Sequence, residues 1–311
     1  MGVKFSLPAF FLLFSLSASA QPVADSLQKP DLRSRRWMVG GGSAAILGTS
    51  FIGLNEAWYK DYPRSKFHAF NDAGEWKQMD KIGHAWTAYA ISRPVSQLWQ
   101  WAGVEKNKAV WLGAGTSLAY LLSIEYLDGR SAEWGWSWAD VGADFSGALL
   151  YAGQEALWNE QRFYLKWSGH VQRYDDPELE DRADELFGRS GAERIFKDYN
   201  AQTYWISANL HAFFPRSKIP AWLNLSIGHG ARGMFGGYEN LALDANNNIR
   251  FDRRDLTRRR QWYLAPDIDF TRIPTRSRFL RSAFSVLNIV KFPAPALELS
   301  SGRLRFRGLV F

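Results

Sequence analysis

Acidic side chains set inside otherwise apolar, helix-length segments constrain this chain more than any other feature. Asp80 and His84 open one such segment, Glu125 and Asp128 close the next, and Asp140 and Asp144 open a third. A carboxylate removed from water without a partner is costly. A fold that buries these groups must bring them to counter-charges or hydrogen-bond donors.

Residues four apart share a helical face. Asp80 therefore sits beside His84, Asp140 beside Asp144, and Gly147 continues the second face. If the helices are neighbours, these groups converge on one polar pocket. Three readings stand. The pocket holds a divalent metal between helices; it carries protons; or it is a salt-bridge network with Lys81 or Arg130 that only locks the bundle. The Glu-x-x-His repeat of di-iron bundles is absent. As a metal-dependent hydrolase acting on an envelope lipid or cell-wall precursor, the chain would use Glu125 as base. Asp80, His84, Asp140 and Asp144 would then be ligands. As a binding or scaffold protein it needs no such roles. The residues name no reaction.

The fold class that emerges is α+β, mainly α: an N-terminal four-helix bundle of apolar helices, then a smaller C-terminal region of short strands and a helix. The helical segments are Trp37 to Tyr59, Asp80 to Trp101 with a kink expected at Pro94, Lys108 to Leu127, and Ala139 to Trp158. Ser137 is placed to cap the last of these, with Asp140 three positions later. The short Glu105-Lys106-Asn107 connection makes the second and third helices antiparallel neighbours. Each segment is long enough to span a bilayer, yet each carries polar residues and charge. Gly113, Gly115, Gly142 and Gly147 are small-residue positions where helices can approach closely. The balance favours membrane association without full spans.

Residues 1–20 read as a secretory signal: Lys4, an apolar run from Leu7 to Leu16, then Ala18-Ser19-Ala20. The mature chain is expected to begin at Gln21, with residues 21–36 as a flexible lead and the bundle over 37–175. With no cysteine there is no thiol-based site and no cysteine-linked lipid. The 15 Trp, 12 Tyr and 21 Phe fit either large core side chains or a membrane–water boundary. The formal charge of +7 lies largely in late arginines, among them Arg253, Arg254 and Arg258 to Arg260. With an export signal, membrane lipid or another envelope component is the expected partner and nucleic acid is not.

Beyond an acidic surface helix or linker at 176–196, residues 197–311 form the C-terminal α+β region. Tyr199 to Phe214 reads as a short helix, Trp222 to Ile227 and Gln261 to Phe270 as strands, and Leu297 to Phe311 as a hairpin turned at Ser300 to Arg303. In its last strand, Leu304 and Phe306 share a face with Val310, and Arg303, Arg305 and Arg307 lie opposite. The terminal Phe311 resembles the end of an outer-membrane barrel. The arginines on its face and the small number of alternating segments argue against that. Ser168-Gly169-His170 lacks the downstream spacing of membrane phosphatases, and no Walker loop, hydrolase elbow or dinucleotide fingerprint is present.

One ordered motif is more specific. It runs Asp80-Lys81-x-x-His84, Glu125-x-x-Asp128-Gly129-x-Ser131-x-x-Trp134-Gly135-x-Ser137-x-x-Asp140-x-x-x-Asp144-x-x-Gly147. Over about residues 75–160 this resembles the YfiM-like predicted periplasmic lipoproteins of Gram-negative bacteria and, more remotely, is similar to VanZ-like membrane proteins. The resemblance implies an exported envelope protein, in the periplasm or on the periplasmic side of a membrane, built around a small helical bundle. It implies no reaction. The chain departs from these families in lacking the lipoprotein cysteine and in carrying Asp144 where VanZ-like proteins tend to have Asn.

Overall fold

The computed structural model describes residues 31–54, 63–244 and 246–311. The export signal, most of the expected lead and the last part of the expected first helix, up to Tyr59, lie outside them. Helix α1, Leu32–Leu54, begins before the expected Trp37. The Asp31 carboxylate accepts the Arg33 N–H at 3.0 Å, which starts the helix within the expected lead.

Helices α2 (Met79–Trp101), α3 (Lys106–Asp128) and α4 (Trp138–Trp158) pack on one another, with α1 laid along α2. Pro94 lies inside α2. The Ser137 hydroxyl accepts the Asp140 N–H and caps α4 as its position implied. Gly113 and Gly147 lie at tight crossings: a Cβ would stand 2.3 Å from the Ser92 carbonyl oxygen at the first and 1.9 Å from that of Ala85 at the second. Gly115 and Gly142 have nothing within 4 Å, so they are not approach points. Among the described residues no helix is long and apolar enough to cross a membrane.

The sheet starts directly after α4. Strand β1, Phe163–Gly169, comes from a stretch to which the sequence assigned no element. Helices α5 (Pro177–Phe187) and α6 (Gly191–Lys197) follow, capped by Asp176 and Ser190. The expected helix over Tyr199 to Phe214 is instead strand β2, Gln202–Asn209, with only the one-turn helix α7, Leu210–Phe213, at its end. The segment is aromatic and apolar enough to fit either period, and pairing with strands on both sides decides it. Strand β3 is Leu223–Arg232, β4 (Leu241–Leu243) and β5 (Ile249–Asp252) make a small separate hairpin, and β6 is Arg259–Ile268. Helix α8, Arg278–Leu287, precedes the terminal hairpin of β7, Ala294–Ser300, and β8, Arg303–Val310. All neighbours in the order β1-β2-β3-β6-β7-β8 are antiparallel. The architecture is thus the α+β arrangement expected, with helices first and the sheet after.

The register sorts the strands into two faces. On the outer face, Leu165, Trp167, Tyr204 and Ala231 join the main core with helix residues such as Trp86 and Tyr89. Farther from the helices the same face is apolar and exposed: Ile227 is 56% exposed, Leu264 41% and Phe306 71%. The inner face carries the polar side chains. Lys166 is fully buried, with Nζ 2.7 Å from Asp267, and Ser207, Asn209, Asn224 and Ser226 are buried around it. Burial holds the Lys166 ammonium below its usual value against the pull of Asp267. The sheet curls around this face. A cavity of about 290 Å³ is lined by residues of β2, β3, β6, β7 and β8 and by His170 just after β1, and the rings of His170 and Phe311 meet at 5.8 Å.

The last strand differs from its expected facing. A register shift between Ala294 and Ala296 pairs Ala294 with Val310 and Ala296 with Arg307. An extra residue in β8 flips the chain end. Val310 therefore packs on the inner-face cluster of Trp205, Tyr263, Ala265 and Ala296 instead of sharing a face with Leu304 and Phe306.

Candidate functional site: a buried network between helices

The loop before α2 and the loop between α3 and α4 run side by side. Phe70 N–H donates to the Trp136 carbonyl and Trp136 N–H to the His68 carbonyl, both at 2.9 Å, while His68 N–H reaches the Gly129 carbonyl at 3.0 Å. Gly129 and Gly135 permit this contact: a Cβ would come within 2.5 Å of the Phe67 ring at one and 2.6 Å of Phe70 Cβ at the other. The paired loops lead into Asp72, which is buried against Lys81 of α2.

Lys81 forms the centre. Its ammonium lies 2.7 Å from Asp72, 2.7 Å from Asp140 and 2.9 Å from Asp80. Burial opposes its charge, and the three carboxylates outweigh burial and raise its pKa. His84, one turn along α2, meets Asp144 through Nδ1 at 3.0 Å. Its Nε2 is 3.8 Å from Asp140 and 3.9 Å from Glu125. Burial disfavours the imidazolium, but Asp140 and Asp144 hold its pKa well above the usual value. Burial also pushes the Asp144 carboxyl up, against the opposing pull of His84.

Hydrogen bonds complete the network. The Tyr199 hydroxyl, from the C-terminal region, donates to Asp80 at 2.7 Å. Ser137 donates its hydroxyl to Asp72 and its N–H to Glu125, the latter at 3.1 Å. Five carboxylates (Asp72, Asp80, Glu125, Asp140, Asp144) thus surround two cationic side chains, an excess of three negative charges if all ionise. Burial raises the Asp144 carboxyl, the direction that lessens this excess.

The structure therefore brings together Asp80, Lys81, His84, Glu125, Ser137, Asp140 and Asp144. Asp128 is buried at the end of α3, and its carbonyl accepts the Ser131 N–H at 3.0 Å. Ser131, Gly129, Gly135 and the buried Trp134 shape the loop, and Gly147 lets α4 approach α2. Of the expected cationic staples Lys81 is inside, whereas Arg130 is exposed. In the same loop Trp136 packs between Phe67 and Trp138, and Trp138 is 70% exposed. Asp72 and Tyr199 were not foreseen. Asp72 lies in an ordinary polar loop and Tyr199 is 119 residues from its partner.

Among the described residues Asp80, His84 and Asp140 form a group whose ligand atoms all lie within 4.8 Å of one another. That donor set suits a divalent cation. The Lys81 ammonium already holds Asp140 and Asp80, so a metal entering there has to displace it.

Residues 69–152 match the model of a family described as a predicted periplasmic lipoprotein, DUF2279. The match covers well under half of the chain, but it spans every member of the network except Tyr199. The family's periplasmic description agrees with the export signal read at the N-terminus. This chain has no cysteine to carry the thioether lipid that the word lipoprotein implies. No curated protein and no solved structure matches the chain.

Proposed function

We propose that this is an exported envelope protein that works at a membrane surface. The exposed outer face of its sheet lies against lipid, and the buried network is a lock that fixes the helical bundle. The observation that carries this reading is the inversion of the sheet. An antiparallel sheet in water normally buries its apolar face and exposes its polar one. Here Lys166, Asp267 and Ser207 are buried, while Ile206, Ile227, Leu264, Leu299 and Phe306 face outward. Apolar side chains facing out over a polar interior is the arrangement of sheets in contact with lipid, and an apolar patch continuous over several strands marks an interaction surface. Trp111, Phe145, Leu149 and Leu157 add exposed apolar surface on α3 and α4. The resemblance to VanZ-like membrane proteins supports the same setting.

Lys81 supports the locking role. Its ammonium joins Asp72, Asp80 and Asp140 across the loop, α2 and α4, and the Asp140, Asp144 and Glu125 side chains packed around His84 are fully buried. Flotation with neutral phosphatidylcholine vesicles tests the membrane reading without help from charge. Ile227 and Leu264 are cross-strand partners on the outer face. Burying each contributes about 1.5–3 kcal/mol, so the Ile227→Asp/Leu264→Asp variant should lose binding by tenfold or more at unchanged circular dichroism. Wild-type protein that stays at the bottom of the gradient would overturn the reading.

A further inference from the structure

The inner face of the sheet holds a second feature, independent of the outer face. Arg232 of β3, Arg259 of β6 and Arg303, Arg305 and Arg307 of β8 line one cavity of about 250 Å³ with a single carboxylate, Glu298. The cavity shares Arg232, Glu298 and Arg307 with the one beside His170 and Phe311, so the two form one basin along the curl.

The charge of this basin is not balanced by the protein. Five guanidiniums against one carboxylate leave four positive charges. Among the described residues only Arg307 lies within ion-pair distance of a carboxylate there, Glu298, which also feels the charge of Arg232. Several other arginines of the C-terminal region do have carboxylate partners: Arg253 with Asp176, Arg254 with Asp252, Arg272 with Glu160. Within the basin, Arg232 and Arg259 stand directly opposite each other in the register of β3 and β6. Like charges at opposed positions destabilise a sheet unless something lies between them. Their forks offer paired N–H donors, the geometry that holds phosphate oxygens bidentately, which lysines would not reproduce.

We propose that the basin binds a multiply charged phosphate-bearing anion, with the Arg232–Arg259 pair as its clamp. The same chemistry is presented by free phosphate or pyrophosphate and by the headgroup of an anionic phospholipid. Two arms separate them: titration of the full chain with pyrophosphate, and co-sedimentation with phosphatidylglycerol against phosphatidylcholine vesicles. Both are run at physiological ionic strength, where attraction between exposed charges is screened beyond roughly 8 Å. Arg232→Gln/Arg259→Gln is compared with wild type and with Arg216→Gln, which removes an exposed arginine outside the basin.

Pyrophosphate binding that weakens tenfold or more in the double variant but stays within twofold in Arg216→Gln establishes the site with a soluble ligand. Binding to phosphatidylglycerol vesicles in excess of that to phosphatidylcholine vesicles, without pyrophosphate binding and with that excess lost in the double variant, establishes it with a lipid headgroup. The double variant relieves a like-charge contact, so its melting temperature without ligand should equal or exceed that of wild type. No pyrophosphate binding together with equal binding to the two vesicle types, or equal weakening in the double variant and Arg216→Gln, overturns the proposal.

Discussion

His84 and Asp144 share one buried contact, and both hold their protons more tightly in the fold than in the unfolded chain. The sign of the resulting pH dependence follows. Stability falls with rising pH wherever the native state binds more protons than the unfolded state. The unfolded His84 titrates near 6.5 and the folded one well above it. Its contribution is fully present below 6.5 and is lost as pH rises through the folded value. Asp144, also raised, acts in the same direction. Urea unfolding between about pH 6 and about pH 9 should therefore show stability declining by up to about 1.4 kcal/mol per pH unit. His84→Gln should flatten the profile. A wild-type profile that is flat or rises over this range would remove the protonated His84–Asp144 contact from the account.

The crossing of α4 on α2 turns on one hydrogen atom in place of a methyl group. At Gly147 a Cβ would lie 1.9 Å from the Ala85 carbonyl oxygen, whereas at Gly142, five residues earlier in α4, nothing lies within 4 Å. Alanine is better than glycine in a helix by about 0.8–1.0 kcal/mol, while forcing atoms into a packed contact costs about 1–3 kcal/mol or more. Gly142→Ala should thus raise the midpoint of thermal unfolding and Gly147→Ala should lower it. Equal shifts of the same sign would show that the crossing is not tight. The sequence made these elements legible to different degrees. The helices, the Ser137 cap and the shared face of Asp80 and His84 rest on local spacing, which a sequence displays directly. Gly142 and Gly147 look alike in sequence, because only the neighbouring helix distinguishes them. Alternation in β3 and β6 showed which residues share a face, but not which face meets water. In β8 one extra residue near the chain end reversed the side taken by Val310. Asp72 and Tyr199 entered the network from a loop and from a distant segment, where no periodicity marks them.

The helices and the sheet are joined through a common interior, and this decides how the whole chain should unfold. The main core runs without a break from Trp86, Tyr89 and Tyr120 in the helices to Trp167, Tyr204 and Phe235 in the C-terminal part. The Trp86 ring lies 6.0 Å from that of Trp167 and 6.3 Å from that of Tyr204. The hydrogen bond from Tyr199 to Asp80 ties the polar network to the same boundary. If the helices separated from the sheet, Trp86, Trp167 and Tyr204 would all meet water, and Asp80 would lose its phenolic donor inside the bundle. Each loss is large against a typical total stability of about 5–15 kcal/mol, so a half-folded state should not accumulate. Far-UV circular dichroism, dominated by the helices, and tryptophan fluorescence should then report one coincident denaturant transition. Tyr199→Phe should shift both signals together by about 1–3 kcal/mol, the cost of leaving a buried acceptor without its partner. A helical signal that outlasts the fluorescence change, or a shift of one probe alone, would mean that the two halves fold as separate units and that the shared core contributes little to either.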